Sequence, residues 1–255
     1  MKTLKDLYYY RELLKSNIKK DLRGKYKKSI LGFLWTLINP LLTVLIYAII
    51  FPHIMKNHTD NYWLFLLCGM FAWNWFIACI HQGVVSITNN EYLLKKVKFP
   101  AIILPLSIVT SELINYLITC LIILSCLIIF NVGISWHLIF LPLIVLVQYL
   151  FTLGIVFLIS ALNKYAKDIE NISIFVVNLL FYLTPILYTV NSFPNWPLII
   201  FKLNVFTYLI KSYRDVFFYH QVPDLQSLMI ILLISLIFTT ISYLIFNKLS
   251  KKFAE

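Results

Sequence analysis

Charged side chains are scarce in this sequence. Asp, Glu, Lys and Arg together make up 13% of the 255 residues, whereas apolar residues make up 60%. Soluble domains carry about 25% charged residues, so this composition excludes an ordinary soluble fold. A helix that crosses a bilayer needs about 20 consecutive apolar residues. The sequence therefore predicts an integral membrane protein.

The sequence also lacks the common motifs of catalytic and nucleotide-binding sites. No two of its six glycines have the spacing that a Walker A phosphate loop requires. The four cysteines form no C-x-x-C pair, and no two histidines have the helical spacing of a zinc site. Asp168 and Glu170 share a lysine-containing loop, where a solvated, charge-balanced surface explains them better than an acid–base pair. We therefore predict no catalytic residue, no metal site and no cofactor in this chain.

Long stretches without charge predict six transmembrane helices. Residues 29–55 and 61–90 contain no charged residue, and residues 99–163 contain only Glu112. The last stretch is long enough for two helices joined by a turn at Asn131-Val-Gly-Ile-Ser. Continuous apolar runs favour helices over barrel strands, so the predicted fold class is all-α. The predicted spans cover residues 30–54, 62–88, 101–130, 137–162, 171–190 and 226–247.

The distribution of Lys and Arg predicts how these helices are oriented. The first 30 residues, the loops after the second and fourth spans, and the C-terminal end together hold eighteen of the 22 basic residues. The other four, Lys56, Lys202, Lys211 and Arg214, are on the opposite side. Because basic loops stay in the cytoplasm, both termini are predicted to be cytoplasmic. This bias also accounts for the net charge of +11 without a nucleic-acid partner.

The segments outside the spans have their own patterns. Residues 1–28 alternate apolar residues and lysines at helical spacing, which predicts an amphipathic helix on the cytoplasmic membrane surface; a solvated basic arm is the alternative. Residues 29–249 are predicted to form one transmembrane domain, followed by a cytoplasmic tail at residues 250–255. Residues 193–220 are too polar for a transmembrane hairpin yet rich in aromatic residues, which predicts a pair of re-entrant helices on the outer side.

Two polar loops on the predicted cytoplasmic side are candidates for docking a soluble partner. In the first, Asn90 is a candidate N-cap for a short helix, with Glu91 in its first turn and Leu94 on its apolar face. The second loop contains Lys167 and Asp168.

Glu112 is the single acidic residue within a predicted span. A carboxylate is costly in hydrocarbon, so it should face the bundle interior, a partner subunit or a wet cavity. A structural hydrogen bond, contact with a substrate and a proton relay are its three possible uses. A relay normally needs titratable neighbours, which favours the structural use.

Aromatic residues are concentrated in or near the outer halves of the spans. An aromatic belt at the membrane interface explains most of them. A channel lining is the alternative, because aromatic rings pack against the C–H faces of sugars. The candidates for that lining are Tyr47, Phe51, Trp63, Trp73, Trp75, Tyr182 and Tyr188.

Five segments, in order along the chain, together resemble one known family. They are DLRGKYKKSILGFLWTLINPLL at residues 21–42, KKVKFPAIILPL at 95–106, KDIENI at 167–172, YLTPILYT at 182–189 and NVFTYLIKSYRDVF at 204–217. The sequence resembles the membrane subunits of type-2 ABC exporters for bacterial cell-surface polysaccharides, which include O-antigen, teichoic acid and capsule exporters. Two positions depart from the family pattern, with Lys167 in place of Arg and Val205 in place of Pro.

The resemblance implies a homodimer of six-span subunits in the bacterial plasma membrane. Two copies of a separate ABC ATPase would bind ATP and Mg, and the assembly would export a lipid-linked glycan. The implied ATPase contacts are Asn90, Glu91, Leu94, Lys95, Lys167 and Asp168. The implied contacts to the diphosphate of a polyprenyl carrier are Arg23, Lys25, Lys27 and Lys28, although topology alone could also explain these cations. The alternatives are a type-2 ABC exporter of a drug or small hydrophobic molecule, and an integral-membrane transferase that acts on a polyprenyl lipid.

Overall fold

A computed structural model describes residues 8–24, 34–55, 61–97, 99–189, 198–251 and 253. Within these residues the secondary structure is entirely helical, which confirms the predicted all-α class. The α-helices are α1 (Arg11–Gly24), α2 (Trp35–Met55), α3 (Tyr62–Val84), α4 (Glu91–Lys96), α5 (Ile103–Ile129), α6 (Leu141–Asn163), α7 (Asp168–Leu183), α8 (Leu198–Leu203), α9 (Val205–Phe217) and α10 (Leu225–Ser250). Short 3-10 helices at Thr88–Asn90 and Trp136–Phe140 precede α4 and α6.

Among the residues that the structure describes, four helices are long and apolar enough to cross a membrane: Tyr62–Val84, Ile103–Ile129, Trp136–Asn163 and Leu225–Ser250. They coincide with the second, third, fourth and sixth predicted spans. Helix α2, at the first predicted span, has 21 residues, and its apolar stretch among the residues whose side chains are described is Ile38–Phe51. Helix α7, at the fifth, has 16 residues, whereas a span usually needs about 20.

Helix α3 is the centre of the bundle. It packs against α2, α5, α6, α7 and α9. In its most apolar stretch 78% of the residues are buried, compared with 22% in the corresponding stretch of α10. A helix that is apolar all round must be enclosed by other helices or by lipid. In α3 the enclosure comes mainly from the protein, so residues on every side of this helix form the core.

Several helix boundaries follow from local sequence. Asn131 and Gly133 both have positive φ, which places the turn between α5 and α6 where the sequence predicts it. Asn204 caps α9, as its side chain accepts a hydrogen bond from the Phe206 N–H at 2.9 Å. Asp224 caps α10 in the same way through the Ser227 N–H.

Helix α7 ends earlier than the predicted fifth span. The prediction continues to residue 190 because the sequence remains apolar, but α7 ends at Leu183 and residues 184–188 form turns and bends. Pro185 explains the difference. The residue before a proline is pushed out of the helical region, and Thr184 is extended with φ −99° and ψ 134°.

Candidate functional site

The two predicted cytoplasmic loops meet at Glu91. The Glu91 Oε1 atom lies 3.0 Å from the Lys95 Nζ atom within α4 and 2.9 Å from the Lys164 Nζ atom at the end of α6. The hydrogen bonds and positive charges of Lys164 and Lys95 lower the pKa of Glu91 from its ordinary value of 4.5 to about 2. These loops are 70 residues apart in the sequence, and the ion pairs join them into one surface.

The other residues predicted to contact an ATPase lie on or beside this surface. Leu94 is the buried residue of α4. Lys167 precedes α7, and Asp168 begins that helix. Asn90 occupies the N-cap position of α4 without forming the expected capping bond. Its amide instead donates to the Ser86 carbonyl at 2.9 Å, because the preceding residues already form a 3-10 helix.

Helix α1 is amphipathic, as its sequence predicts. Leu14 and Ile18 are half-buried, whereas Lys15 and Lys19 are exposed. The helix packs along α5, where the Ser107 hydroxyl lies 3.5 Å from the Asp21 carboxylate. Of the four candidates for binding a diphosphate, Arg23 is in the last turn of α1. Lys25, Lys27 and Lys28 lie outside the described residues.

A cavity of about 590 Å³ lies between α2, α3 and α5. Its lining extends from Phe71 to Gln82 along α3, which at 1.5 Å per residue is roughly 16 Å, or about half of a bilayer core. On α2 it begins at Trp35 and Asn39, whose side chains are exposed. The cavity therefore runs along α3 toward the end of that helix that precedes the α4 loop.

Glu112 lies in the wall of this cavity and is 4% exposed. Its Oε1 atom accepts a hydrogen bond from the Gln82 side-chain amide at 2.9 Å, and its Oε2 atom accepts one from the Asn115 amide at 3.3 Å. The bond to Gln82 also joins α5 to α3.

An aromatic pair lies beside this carboxylate. The rings of Trp75 and Tyr116 stack with centroids 4.7 Å apart and an interplanar angle of 14°. Both residues are buried and line the cavity. Among the described residues, the Trp75 Nε1–H has no acceptor and the Asn115 Oδ1 atom has no donor. The cavity wall thus combines a carboxyl group, an aromatic surface and two polar side-chain atoms.

The structure distributes the seven aromatic candidates over several environments. Trp73 is fully buried, with its ring against Phe76 and Phe206, so within one chain it belongs to the core. Trp63 packs on Phe130, and the Tyr188 hydroxyl donates to the Tyr182 carbonyl at 2.8 Å.

The remaining candidates are more accessible. Tyr47 and Phe51 form an edge-to-face pair on α2, and both are half-buried. Tyr182 is 67% exposed on α7. Trp75 lines the cavity. A single chain therefore brings these seven residues to no common surface.

A buried arginine is the main feature that sequence reasoning missed. Arg214 on α9 is 4% exposed, and its guanidinium donates to the carbonyls of Pro185 at 2.6 Å, Ile186 at 2.5 Å and Phe65 at 3.4 Å. It also lies over the Phe65 ring, 3.5 Å from the centroid. No carboxylate among the described residues forms an ion pair with it. Arg214 therefore connects α9, α3 and the turn after α7 through carbonyl oxygens.

The sequence contained one signal for this role. Along α9, Phe206, Ile210 and Phe217 recur at helical spacing, and position 214 falls on the same face. Because Arg214 was assigned only as a charge on the outer side, its place on this apolar face was missed. Gly69 leaves room for the guanidinium, because a Cβ atom there would lie 3.1 Å from the Arg214 Nη2 atom.

Comparison with known proteins agrees with the family resemblance of the sequence. Residues 12–218 match the ABC-2 type transporter family. An O-antigen export system permease protein RfbA of Myxococcus xanthus is 32% identical, over 100% of this chain and 99% of that protein. Two proteins of the same description from Klebsiella pneumoniae are each 35% identical, over 98% of this chain and 96% of each of them.

Proposed function

Because the chain belongs to the ABC-2 type transporter family, we propose that it is the permease subunit of an ATP-driven exporter of a lipid-linked polysaccharide in the bacterial plasma membrane. The observation that carries this proposal is similarity over the whole chain to permeases named for O-antigen export. The four long apolar helices are the structural counterpart of that similarity. The chain itself provides a path and carries out no chemical step.

In this proposal the membrane domain has six spans, with both termini in the cytoplasm. Helix α2, with 21 residues, is the first span, and the shorter α7, with 16 residues, is the fifth. The basic residues of the N-terminal segment and of the α4 and α6–α7 loops support this orientation. Helices α8 and α9 then form the outer re-entrant pair, where Arg214 fixes α9 against the turn after α7.

Energy comes from two copies of a separate ABC ATPase, which bind ATP and Mg. The surface around Glu91 is the proposed docking site for this partner. It presents a rigid connection, since the ion pairs to Lys95 and Lys164 hold the α4 loop against the start of the next loop. A push on α4 is therefore transmitted both to α5 and to the junction of α6 and α7.

A second copy of this chain completes the glycan path. Helices α2 and α7, like α5 and α10, carry exposed apolar faces at helical spacing that one chain leaves uncovered. On α2 the face consists of Leu42, Leu45, Ile46, Ile49 and Ile50; on α7 it consists of Ile172, Phe175, Val176, Leu179 and Tyr182. In the proposed homodimer these faces meet the other subunit or lipid, and the accessible aromatics Tyr47, Phe51 and Tyr182 border the glycan.

The lipid carrier enters from the cytoplasmic leaflet beside α1. Arg23, Lys25, Lys27 and Lys28 are the proposed contacts to its diphosphate, since charge-assisted hydrogen bonds favour phosphate near cationic side chains. The amphipathic α1, packed on α5, supports this placement of the entry site at the membrane surface.

Gene deletion in the native host tests the proposed function. Loss of this permease should leave lipid-linked glycan accumulated on the cytoplasmic side, and deletion of the partner ATPase should give the same result. Expression of the chain should restore surface glycan. Normal surface glycan in the deletion strain, without any internal accumulation, would contradict the proposal.

A further inference from the structure

We propose that Tyr165 and Phe253 are positioning residues for transport, which together carry a movement of the ATPase-docking surface to α10. This inference rests on the proposed function, because it needs an ATPase that pushes on the surface around Glu91. It goes beyond that function by giving the residues at the end of the chain a part in transmitting the energy of ATP.

The C-terminal end of the chain folds back onto the bundle. Helix α10 ends at Ser250, and the Phe253 N–H donates to the Ser250 carbonyl at 3.2 Å. The Phe253 side chain is 2% exposed, and its ring lies edge-to-face against Phe246 of α10, with centroids 5.7 Å apart. Phe246 in turn contacts the ring of Phe157 on α6, also at 5.7 Å. Three rings therefore anchor the end of the chain on α6.

An aromatic belt at the membrane interface does not explain Phe253. Aromatic residues of such a belt lie at the level of the lipid headgroups and contact them. Phe253 instead follows the exposed Lys248 and Lys251 in the sequence, and its ring is enclosed by other parts of the protein. The contacts of this ring are therefore contacts within the chain.

Tyr165 joins the turn between α6 and α7 to the same end of α10. Its ring centroid lies 6.2 Å from that of Phe253, and its hydroxyl donates to the Leu249 carbonyl at 3.0 Å. Leu249 is in the last turn of α10, where carbonyls have no donor within the helix. Tyr165 thus caps a helix whose last turn is 84 residues away in the sequence.

The same turn also carries part of the docking surface. Lys164 immediately precedes Tyr165, and its Nζ atom lies 2.9 Å from the Glu91 Oε1 atom of α4. One residue of the turn is therefore paired with α4, and the next is bonded to α10. Contiguous contacts of this kind can transmit a displacement from one element to another. A movement of α4 that shifts Lys164 should also shift Tyr165 and, through it, the end of α10.

Helix α10 depends on few other contacts. Among the described helices it packs mainly against α6, where the Thr239 hydroxyl donates to the Leu150 carbonyl. This bond joins the middle of the two helices, and Tyr165 and Phe253 join their cytoplasmic ends. With both connections in place, α6 and α10 move as one body. Without the second, the end of α10 is free to stay behind when α6 is pushed.

The test uses the complete exporter with its ATPase in proteoliposomes, with a fluorescent polyprenyl-diphosphate glycan as the substrate. The readout is the amount of glycan transported for each ATP hydrolysed. A substitution that only destabilises the protein reduces the number of active complexes, so transport and ATP hydrolysis fall together and their ratio is unchanged. A loss of transmission lowers the ratio itself.

Two substitutions interrupt the connection in different ways. Tyr165→Phe removes the hydrogen bond to the Leu249 carbonyl and keeps the ring, and should lower transport per ATP about two- to fivefold. Phe253→Leu keeps an apolar side chain but removes the ring contacts, and should lower the ratio to a similar extent. Phe217→Leu is the matched control, because it replaces another fully buried ring, on α9; its ratio should equal that of the wild type.

A double variant tests whether the two sides of the turn act in series. Lys164→Met breaks the contact to α4, and Tyr165→Phe breaks the contact to α10. If both contacts lie on one route, breaking the second adds little, so the double variant should have about the same ratio as the more impaired single variant. Reductions that multiply would show that the contacts act independently, and would overturn the inference.

The other outcomes separate this inference from the function on which it rests. If the wild-type exporter does not transport the glycan, the proposed function fails and the inference fails with it. If the wild type transports but either Tyr165→Phe or Phe253→Leu keeps the wild-type ratio, or Phe217→Leu lowers it equally, only the positioning role is overturned. Loss of the ATPase from the purified Phe253→Leu complex would assign this end of the chain to docking itself, and would also overturn it.

Discussion

At position 214, a guanidinium is removed from water without a carboxylate partner among the described residues. Its charge is instead met by three carbonyl oxygens and by the face of the Phe65 ring. Two of these carbonyls, from Pro185 and Ile186, are in a turn where a helix has just ended and where backbone partners are lacking. Arg214 thus donates hydrogen bonds to the carbonyls of the turn that forms where Pro185 ends the helix.

Replacement of Arg214 should destabilise the protein. Arg214→Met would fill the same space but leave the Pro185 and Ile186 carbonyls without donors, and should lower the free energy of unfolding by about 2 kcal/mol. Arg214→Lys keeps the charge, but its single ammonium group cannot reach carbonyls on both sides as the planar guanidinium does. It should therefore be destabilised to an intermediate degree, as measured by thermal unfolding in detergent.

Lys211→Met is the control for this comparison. Lys211 is on the same helix and has an exposed side chain, so the same loss of charge should have little effect on unfolding. Equal stability of the Arg214→Met and Lys211→Met proteins would refute the role assigned to the buried guanidinium.

The sequence predicted local interactions better than distant ones. The Asn204 cap depends on a residue two positions away, and Asn is a preferred N-cap residue. Glu112 was recognised as an isolated intramembrane acid, but its partner Gln82 is 30 residues away on another helix. Likewise, the carbonyls that bind Arg214 are 28, 29 and 149 residues distant. Such partners depend on how the helices pack, which the pattern of one helix does not determine.

At the scale of helices, close packing of α6 depends on two glycines. A Cβ atom at Gly83 would lie 2.6 Å from Val156 of α6, and one at Gly154 would lie 2.7 Å from Phe238 of α10. The Thr239 hydroxyl also donates to the Leu150 carbonyl across the α6–α10 contact, at 2.6 Å. Small residues allow membrane helices to approach this closely.

Gly154→Ala should separate α6 from α10. The added methyl group must displace the Phe238 ring and the neighbouring Thr239 hydroxyl, which we expect to cost about 1–3 kcal/mol of stability. Thermal unfolding of the purified protein measures this effect. Gly24→Ala in α1 is the matched control, since a Cβ atom there has no neighbour within 4 Å; it should be neutral or slightly stabilising. A Gly154→Ala protein as stable as Gly24→Ala would contradict the proposed close contact.

The ion pairs of Glu91 should make stability depend on pH. The pKa of Glu91 is about 2 in the folded protein and 4.5 ordinarily, so the ionised form favours folding. This contribution is fully present above pH 4.5 and is lost as the pH falls from 4.5 toward 2. Over that window, the thermal stability of Glu91→Gln should decline less than that of the wild type.

Lys164→Met provides an independent check on the same contact. It removes the partner on the other loop, so its pH profile should shift toward that of Glu91→Gln. High salt should reduce the difference between wild type and variants, because the Glu91 side chain is partly exposed. Superimposable pH profiles for the wild type and Glu91→Gln would show that the pairing does not hold the two loops together.

For the whole molecule, the positions of four of the six predicted spans followed from hydrophobic length, which measures membrane crossing directly. The second, third, fourth and sixth predicted spans coincide with long helices. The end of the fifth was wrong because apolarity continues past Pro185, where the helix cannot. The seven aromatic candidates lie in several environments, so the sequence did not predict which of them line a common site. Composition indicated which residue types could border a glycan, whereas only packing separates the buried Trp73 from Trp75 in the cavity wall.

The proposal that this chain forms the path and the ATPase supplies the energy can be tested directly in proteoliposomes. Vesicles would contain this chain with its partner ATPase, this chain alone, or the ATPase alone, together with a fluorescent polyprenyl-diphosphate glycan. We expect the glycan to cross the membrane only when both proteins and ATP are present. Sustained ATP-dependent transport by this chain without the ATPase would show that the chain has an energy source of its own, and would contradict its assignment as a permease subunit.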